Sequence, residues 1–173
     1  MDLGFNKKLF VVTGATSGFG KAIAETLINE NAHLIINARG EDKLIAFKNR
    51  YPDKIEILAG DITTDATISQ LMLMIRDRAL SGIVINAGGP PAKSFFKTNL
   101  TDWDDAYESI LRWKVKITKE ILPKFQSQKF GRLLYIESAS VKQPIDNLIL
   151  SNSLRLAVVG FVKSLSREVG EQG

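Results

Sequence analysis

The chain predicts an α/β fold built on a doubly wound parallel sheet in three layers, α/β/α, and three observations carry that prediction. Short runs rich in apolar and β-branched residues alternate with helical patterns along all 173 residues. The first run leads directly into Thr13-Gly14-Ala15-Thr16-Ser17-Gly18-Phe19-Gly20, a glycine-rich turn between a strand and a helix. No internal repeat, linker or low-complexity tract interrupts the alternation, so a single domain over 1–173 is expected.

Strands are predicted at 9–12, 33–37, 55–59, 83–86 and 132–136, each short and nearly all apolar, as strands covered on both faces must be. Helices fill the gaps at 18–30, 41–51, 64–78, 102–127 and 151–169. The fourth helix takes Thr101 as its N-cap and carries Asp102, Asp104 and Asp105 in its first turn, where the macrodipole favours negative charge. Pro123 is expected to kink or shorten its far end. Right-handed β-α-β crossovers then place ligands at the carboxyl ends of the strands.

Composition excludes several classes. There is no cysteine and a single histidine, His33, so disulfides, thiolate sites and His-based metal sites are not expected. No stretch approaches the ~20 apolar residues of a membrane span, and Met1 to Asn6 lacks the order of a signal peptide. Cytoplasm is the expected compartment. The net charge of +4 raises a nucleic-acid reading. The densest basic run is Arg112, Lys114, Lys116 and Lys119, with Arg112, Lys116 and Lys119 on one helical face. It reads as a solvated or subunit-facing surface, and no nucleic-acid motif accompanies it.

In the glycine turn Gly14 permits the sharp bend, Gly18 lets backbone N–H groups approach a pyrophosphate, and Gly20 lets the helix pack closely on the strand. Two further motifs end strands: Gly60-Asp61-Ile62 and Asn86-Ala87-Gly88. With this three-part signature the chain, from about Lys8 onward, resembles the short-chain dehydrogenase/reductase family, and within it the 3-oxoacyl-[acyl-carrier-protein] reductase branch. The resemblance implies a Rossmann-type fold with a nicotinamide dinucleotide held by Gly14, Thr16, Ser17, Gly18, Phe19 and Gly20. Asp61 and Ile62 would flank its adenine, and Asn86, Ala87 and Gly88 would lie along it. It also implies that the 1–173 domain lacks the substrate-covering loop and final strands that family members carry further on. At the end of the second strand stands Arg39 and no acid, which favours NADP(H) over NAD(H), because a guanidinium accommodates the 2′-phosphate.

In catalysis the chain departs from its family. Members use a serine after the fifth strand, a tyrosine thirteen residues on, a lysine four residues beyond that, and an asparagine in the preceding long helix. Serine steadies the carbonyl oxygen, tyrosine protonates it, and lysine lowers the phenol pKa from ~10 toward working pH. Here Ser138 keeps the first position, Ser151 takes the tyrosine's place, Arg155 the lysine's, and Ile110 the asparagine's. Ser138, Ser151 and Arg155 are therefore the candidate catalytic set. Tyr135 is offset by three residues from Ser138 and points to the opposite face. Glu137 reads either as a carboxyl raised in pKa by a dry pocket or as a solvated strand-end carboxylate.

Two functions follow: an NADP(H)-dependent carbonyl reductase acting on a small molecule or acyl thioester with a rearranged proton relay, or a non-catalytic NADP(H)-binding protein. A homodimer or homotetramer is expected, since Ile110, Trp113, Ile117, Leu154, Val158, Phe161 and Val162 exceed what one sheet face needs. Neither nucleic acid nor membrane is an expected partner.

Overall fold

A computed structural model describes residues 3–173. Five strands, β1 (Leu9–Val12), β2 (His33–Ala38), β3 (Ile55–Ala59), β4 (Gly82–Ile85) and β5 (Arg132–Tyr135), form one parallel sheet in the order β3-β2-β1-β4-β5. Side chains alternate across it. Phe10, Val12, Leu34, Ile36 and Val84 face one layer, where α1 (Gly18–Asn29) and α2 (Glu41–Arg50) supply Ala24, Leu27, Ile28, Leu44 and Phe47. Leu9, Val11, Ile35, Ile83 and Ile85 face the other, closed by α3 (Asp65–Ile75) and the helix beginning at Trp113. The predicted doubly wound, three-layer α/β/α fold is the one observed, and strand order reverses between β1 and β4, where such folds bind ligands.

The predicted fourth helix differs. It begins two residues earlier, as α4 (Leu100–Tyr107), and Asn99 rather than Thr101 is the N-cap. Asn99 accepts from the Asp102 N–H while Asp102 accepts from the Asn99 N–H, a reciprocal pair that fixes the cap at Asn99. A π-helical turn at Glu108–Arg112 follows, and then α5 (Trp113–Gln128). Pro123 does not end α5. The carbonyl that loses its N–H partner belongs to Lys119, an exposed residue, so the lost bond is not buried in the core. The last helix, α6 (Ile149–Val169), starts two residues before the predicted position, and β5 stands at the sheet edge with Leu134 half exposed.

Candidate active site

The turns after four strands converge on a cleft of about 790 Å³. Gly14, Thr16, Ser17, Gly18 and Phe19 come from the turn after β1, Arg39 from β2, Asp61 and Ile62 from β3, and Asn86, Ala87 and Gly88 from β4. The sequence-predicted cofactor residues thus line one cleft, except Gly20. That residue is buried, and a side chain on it would run into the Gly14 carbonyl, so it sets how closely α1 approaches the turn.

Gly14 has φ +61°, and a Cβ there would sit 2.7 Å from Asn86 Nδ2. That close approach is wired by hydrogen bonds. Thr13 Oγ1 donates to the Asn86 carbonyl at 2.7 Å and accepts from the Asn86 N–H at 2.8 Å, joining the ends of β1 and β4. Asn37 Nδ2 likewise donates to the Leu58 and Gly60 carbonyls, joining β2 to β3. The cleft floor is therefore rigid. Its mouth is more open: Phe19 is 75% exposed, and Arg39 and Lys43 are exposed on the rim.

The start of α1 fits a pyrophosphate. Its N-cap Ser17 makes no side-chain hydrogen bond, no acid lies in the first turn, and nothing stands within 4 Å of the position a Gly18 side chain would fill. Unpaired N–H groups, the positive end of a helix dipole and open space are the requirements of an anion cradle. Asp61 behaves differently from a free carboxylate, since its Oδ1 accepts from the Thr63 N–H and hydroxyl and so shapes the turn after β3. Ile62 is 5% exposed and packs with Leu58 and Ile68, which leaves little of its side chain for a ligand.

Arg155 and Ser151 are joined by a hydrogen bond, and Arg155 reaches the Gly89 side of the cleft. Ser138 caps a short 3₁₀ turn, its Oγ accepting from the Ser140 N–H at 3.1 Å. Ser151 is buried in the first turn of α6, and Arg155 Nε donates to its Oγ at 3.0 Å. Arg155 Nη2 lies 3.2 Å from where a Gly89 Cβ would stand, which ties the cluster to the cleft wall. Ile110 is buried in the π-helical turn.

One residue in this neighbourhood was missed from sequence and another misread. Lys114, which lies off the Arg112, Lys116 and Lys119 face, is 2% exposed and ion-paired to Glu137 Oε1. Glu137 is neither isolated in a dry pocket nor solvated, because its other oxygen takes Arg155 Nη1 at 3.0 Å and its side chain is 11% exposed. Burial pushes the Lys114 ammonium below its ordinary pKa and the Arg155 charge adds to that, against the Glu137 hydrogen bond. The signal for Lys114 was its phase. It follows Ile110 by four residues and precedes Ile117 and Ile121 by three and seven, all buried, whereas Arg112 and Lys119 fall on the exposed side. Tyr135 faces the core. Thr118 Oγ1 gives its proton to the Lys114 carbonyl, so the Tyr135 hydroxyl donates to Thr118, 2.6 Å away. Burial raises the Tyr135 pKa.

The profile of the short chain dehydrogenase family matches residues 8–173, and the chain belongs to that family. Among sequence relatives, an oxidoreductase of Staphylococcus epidermidis, SERP2049, is 24% identical over 96% of this chain and 74% of its own length. The Bacillus subtilis oxidoreductase YvrD is 29% identical over 99% of this chain and 65% of its own. Among solved structures, a short-chain dehydrogenase from Streptomyces avermitilis superposes with TM-score 0.90 at 26% identity, over 97% of this chain and 63% of that one. The L-sorbose reductase of Gluconobacter frateurii, solved with NADPH and L-sorbose, gives TM-score 0.91 at 25% identity over 99% of this chain and 68% of that one. The chain thus spans about two thirds of the length of these structures. Among the described residues no helix is long and apolar enough to cross a membrane, and no cluster of potential metal ligands occurs.

Proposed function

We propose that the chain carries the cofactor site and catalytic face of an NADP(H)-dependent carbonyl reductase, with 3-oxoacyl thioesters as the substrate class its resemblance favours. The observation that carries this reading is Arg155, which holds Ser151 at one end while its Nη2 stands over Gly89 of the dinucleotide-type cleft. A reduced nicotinamide dinucleotide bound there supplies a hydride. Gly18 and its neighbours would hold the pyrophosphate, Arg39 the 2′-phosphate, and the Asn86-Ala87-Gly88 turn would follow the chain of the ligand toward Arg155. An NADPH-bound structural relative, the sorbose reductase, supports the cofactor class.

The protein's own groups act on the substrate oxygen. Ser138 Oγ and Ser151 Oγ each accept from a protein N–H, which leaves each hydroxyl proton free to donate to that oxygen. Protonation then falls to a serine rather than a phenol. General acid catalysis is typically worth roughly 10²–10⁴-fold, so turnover is expected to be slower by a factor of that order than in relatives with the tyrosine. The loss of tyrosine at Ser151 and of asparagine at Ile110 favours a second reading, a non-catalytic NADP(H)-binding protein. NADPH oxidation monitored against a panel of 3-oxoacyl thioesters and simple ketones separates the two. Substrate-dependent oxidation supports the reductase, and tight NADPH binding with no oxidation on any carbonyl supports the binding protein.

A further inference from the structure

Behind the two serines stands a charged cluster that the reductase reading does not use. Lys114 reaches Glu137 from α5, and Arg155 reaches it from α6, each cation taking one carboxylate oxygen. Lys114, Glu137 and Arg155 have side chains 3%, 11% and 12% exposed. Burying three charges is costly, and a core of apolar residues would serve stability as well or better. The cluster therefore calls for a role other than holding the fold together.

Its geometry supplies one. A guanidinium has five N–H donors in a fixed planar fork, so fixing one edge fixes the rest. Glu137 takes Nη1, and with that edge pinned, Nε falls on Ser151 Oγ at 3.0 Å. Nε–H donates, so Ser151 must turn its own proton away from Arg155. Arginine does not give up its proton at working pH, which rules out a relay through it. Its effect on Ser151 is to orient the hydroxyl and to stabilise the oxygen when the proton leaves. With two cations and one anion, the cluster places a net positive charge beside that oxygen.

We propose that Glu137, bridging Lys114 and Arg155, is a positioning residue that locks the guanidinium onto Ser151 Oγ and so presents the Ser151 proton to the substrate oxygen. The proposal rests on the reductase reading. In the step it serves, the carbonyl carbon would take a hydride of the kind a bound reduced nicotinamide supplies, the C=O π pair would become a lone pair on oxygen, and that oxygen would take the proton of Ser151. The Ser151 oxygen regains a proton from water. Glu137 touches neither substrate nor cofactor in this account.

The test uses Lys114→Met/Glu137→Gln, which removes the clamp yet keeps the net charge of the cluster, since one cation and one anion go together. Positioning and net charge are thereby separated. The first readout needs no turnover: hydrogen exchange of the Arg155 Nε–H, seen by ¹⁵N NMR and assigned by its loss in Arg155→Lys. We expect slow exchange in the parent, and exchange as fast as that of exposed arginines in the double variant. Lys114→Met alone leaves the Glu137–Arg155 contact and is expected to keep the slow exchange. The second readout is kcat for NADPH-dependent carbonyl reduction, expected to fall about tenfold to a hundredfold in the double variant, the scale of a misplaced catalytic group. Should that variant fail to fold, Ser151→Ala, which removes the acceptor, is expected to speed Nε–H exchange in the same way. Equal protection in the parent and the folded double variant, or in Ser151→Ala, overturns the proposal, as does an unchanged kcat once protection is lost. A parent that shows the protected N–H, loses it in the double variant and reduces no carbonyl supports the positioning and defeats the reductase reading instead.

Discussion

Arg39 stands on the rim of the cleft, with Lys43 one helical turn on, and is proposed to meet a 2′-phosphate. Parent protein is expected to bind NADPH more tightly than NADH in fluorescence titration, and Arg39→Asp to reverse or abolish the preference. Equal affinities in the parent contradict the assignment. At Gly20 the constraint is steric: a Cβ meets the Gly14 carbonyl and lies 2.8 Å from Asn86 Nδ2. Gly20→Ala is expected to cost about 1–3 kcal/mol of stability, the range for overpacking a close contact, as measured by denaturant unfolding. Gly14, Gly18 and Gly20 were legible in the sequence because positive φ or close packing there admits few residue types, and Asn86 was legible as part of a family motif. Glu137 was not, since a strand-end carboxylate has no signature until α5 and α6 bring two cations to it.

The start of α4 shows what residue patterns leave open. Thr101 is a good cap by type, and three aspartates follow it, yet the reciprocal bonds between Asn99 and Asp102 fix the start two residues earlier. Asn99→Ala is expected to lower stability by about 1 kcal/mol, read from thermal unfolding. Asp102 also takes Lys93 Nζ at 2.6 Å, and that hydrogen bond, with the one from the Asn99 N–H, holds its carboxyl below the ordinary 3.8. A lowered folded-state pKa means that the carboxylate stabilises the fold above the unfolded value and ceases to do so as pH falls through the folded one. The difference in melting temperature between parent and Asp102→Asn is therefore expected to be widest near neutral pH and to close as pH drops well below 3.8. A difference that persists undiminished in acid contradicts it. The π-helical turn at Glu108–Arg112 was not read from the sequence, because buried Ala106, Ile110, Trp113 and Ile117 keep the four-and-three spacing of an ordinary helix.

For the whole molecule, alternation of strand and helix sufficed to read the sheet, and strand bounds fell within one residue of those observed. Assembly was less legible. Of the seven apolar residues taken as surplus, Ile110, Trp113, Ile117 and Val158 are 0–1% exposed within the single chain and belong to its own interior. What α4, the π-helical turn and α5 leave open is a groove lined by Tyr107, Leu111, Val115 and Pro123, flanked by Arg112, Lys116 and Lys119. A dimer or tetramer remains our expectation on that surface. Light scattering at micromolar concentration is expected to show it, and a monomer refutes it.

In the proposed reductase Ser138 acts on a carbonyl oxygen beside a bound nicotinamide dinucleotide. NADPH oxidation with a 3-oxoacyl thioester, comparing the parent with Ser138→Ala at matched cofactor occupancy, tests that role. Substrate-dependent oxidation is expected in the parent, with most of it lost in Ser138→Ala. Oxidation by the parent that is indifferent to Ser138→Ala would contradict that role and place the chemistry on other residues.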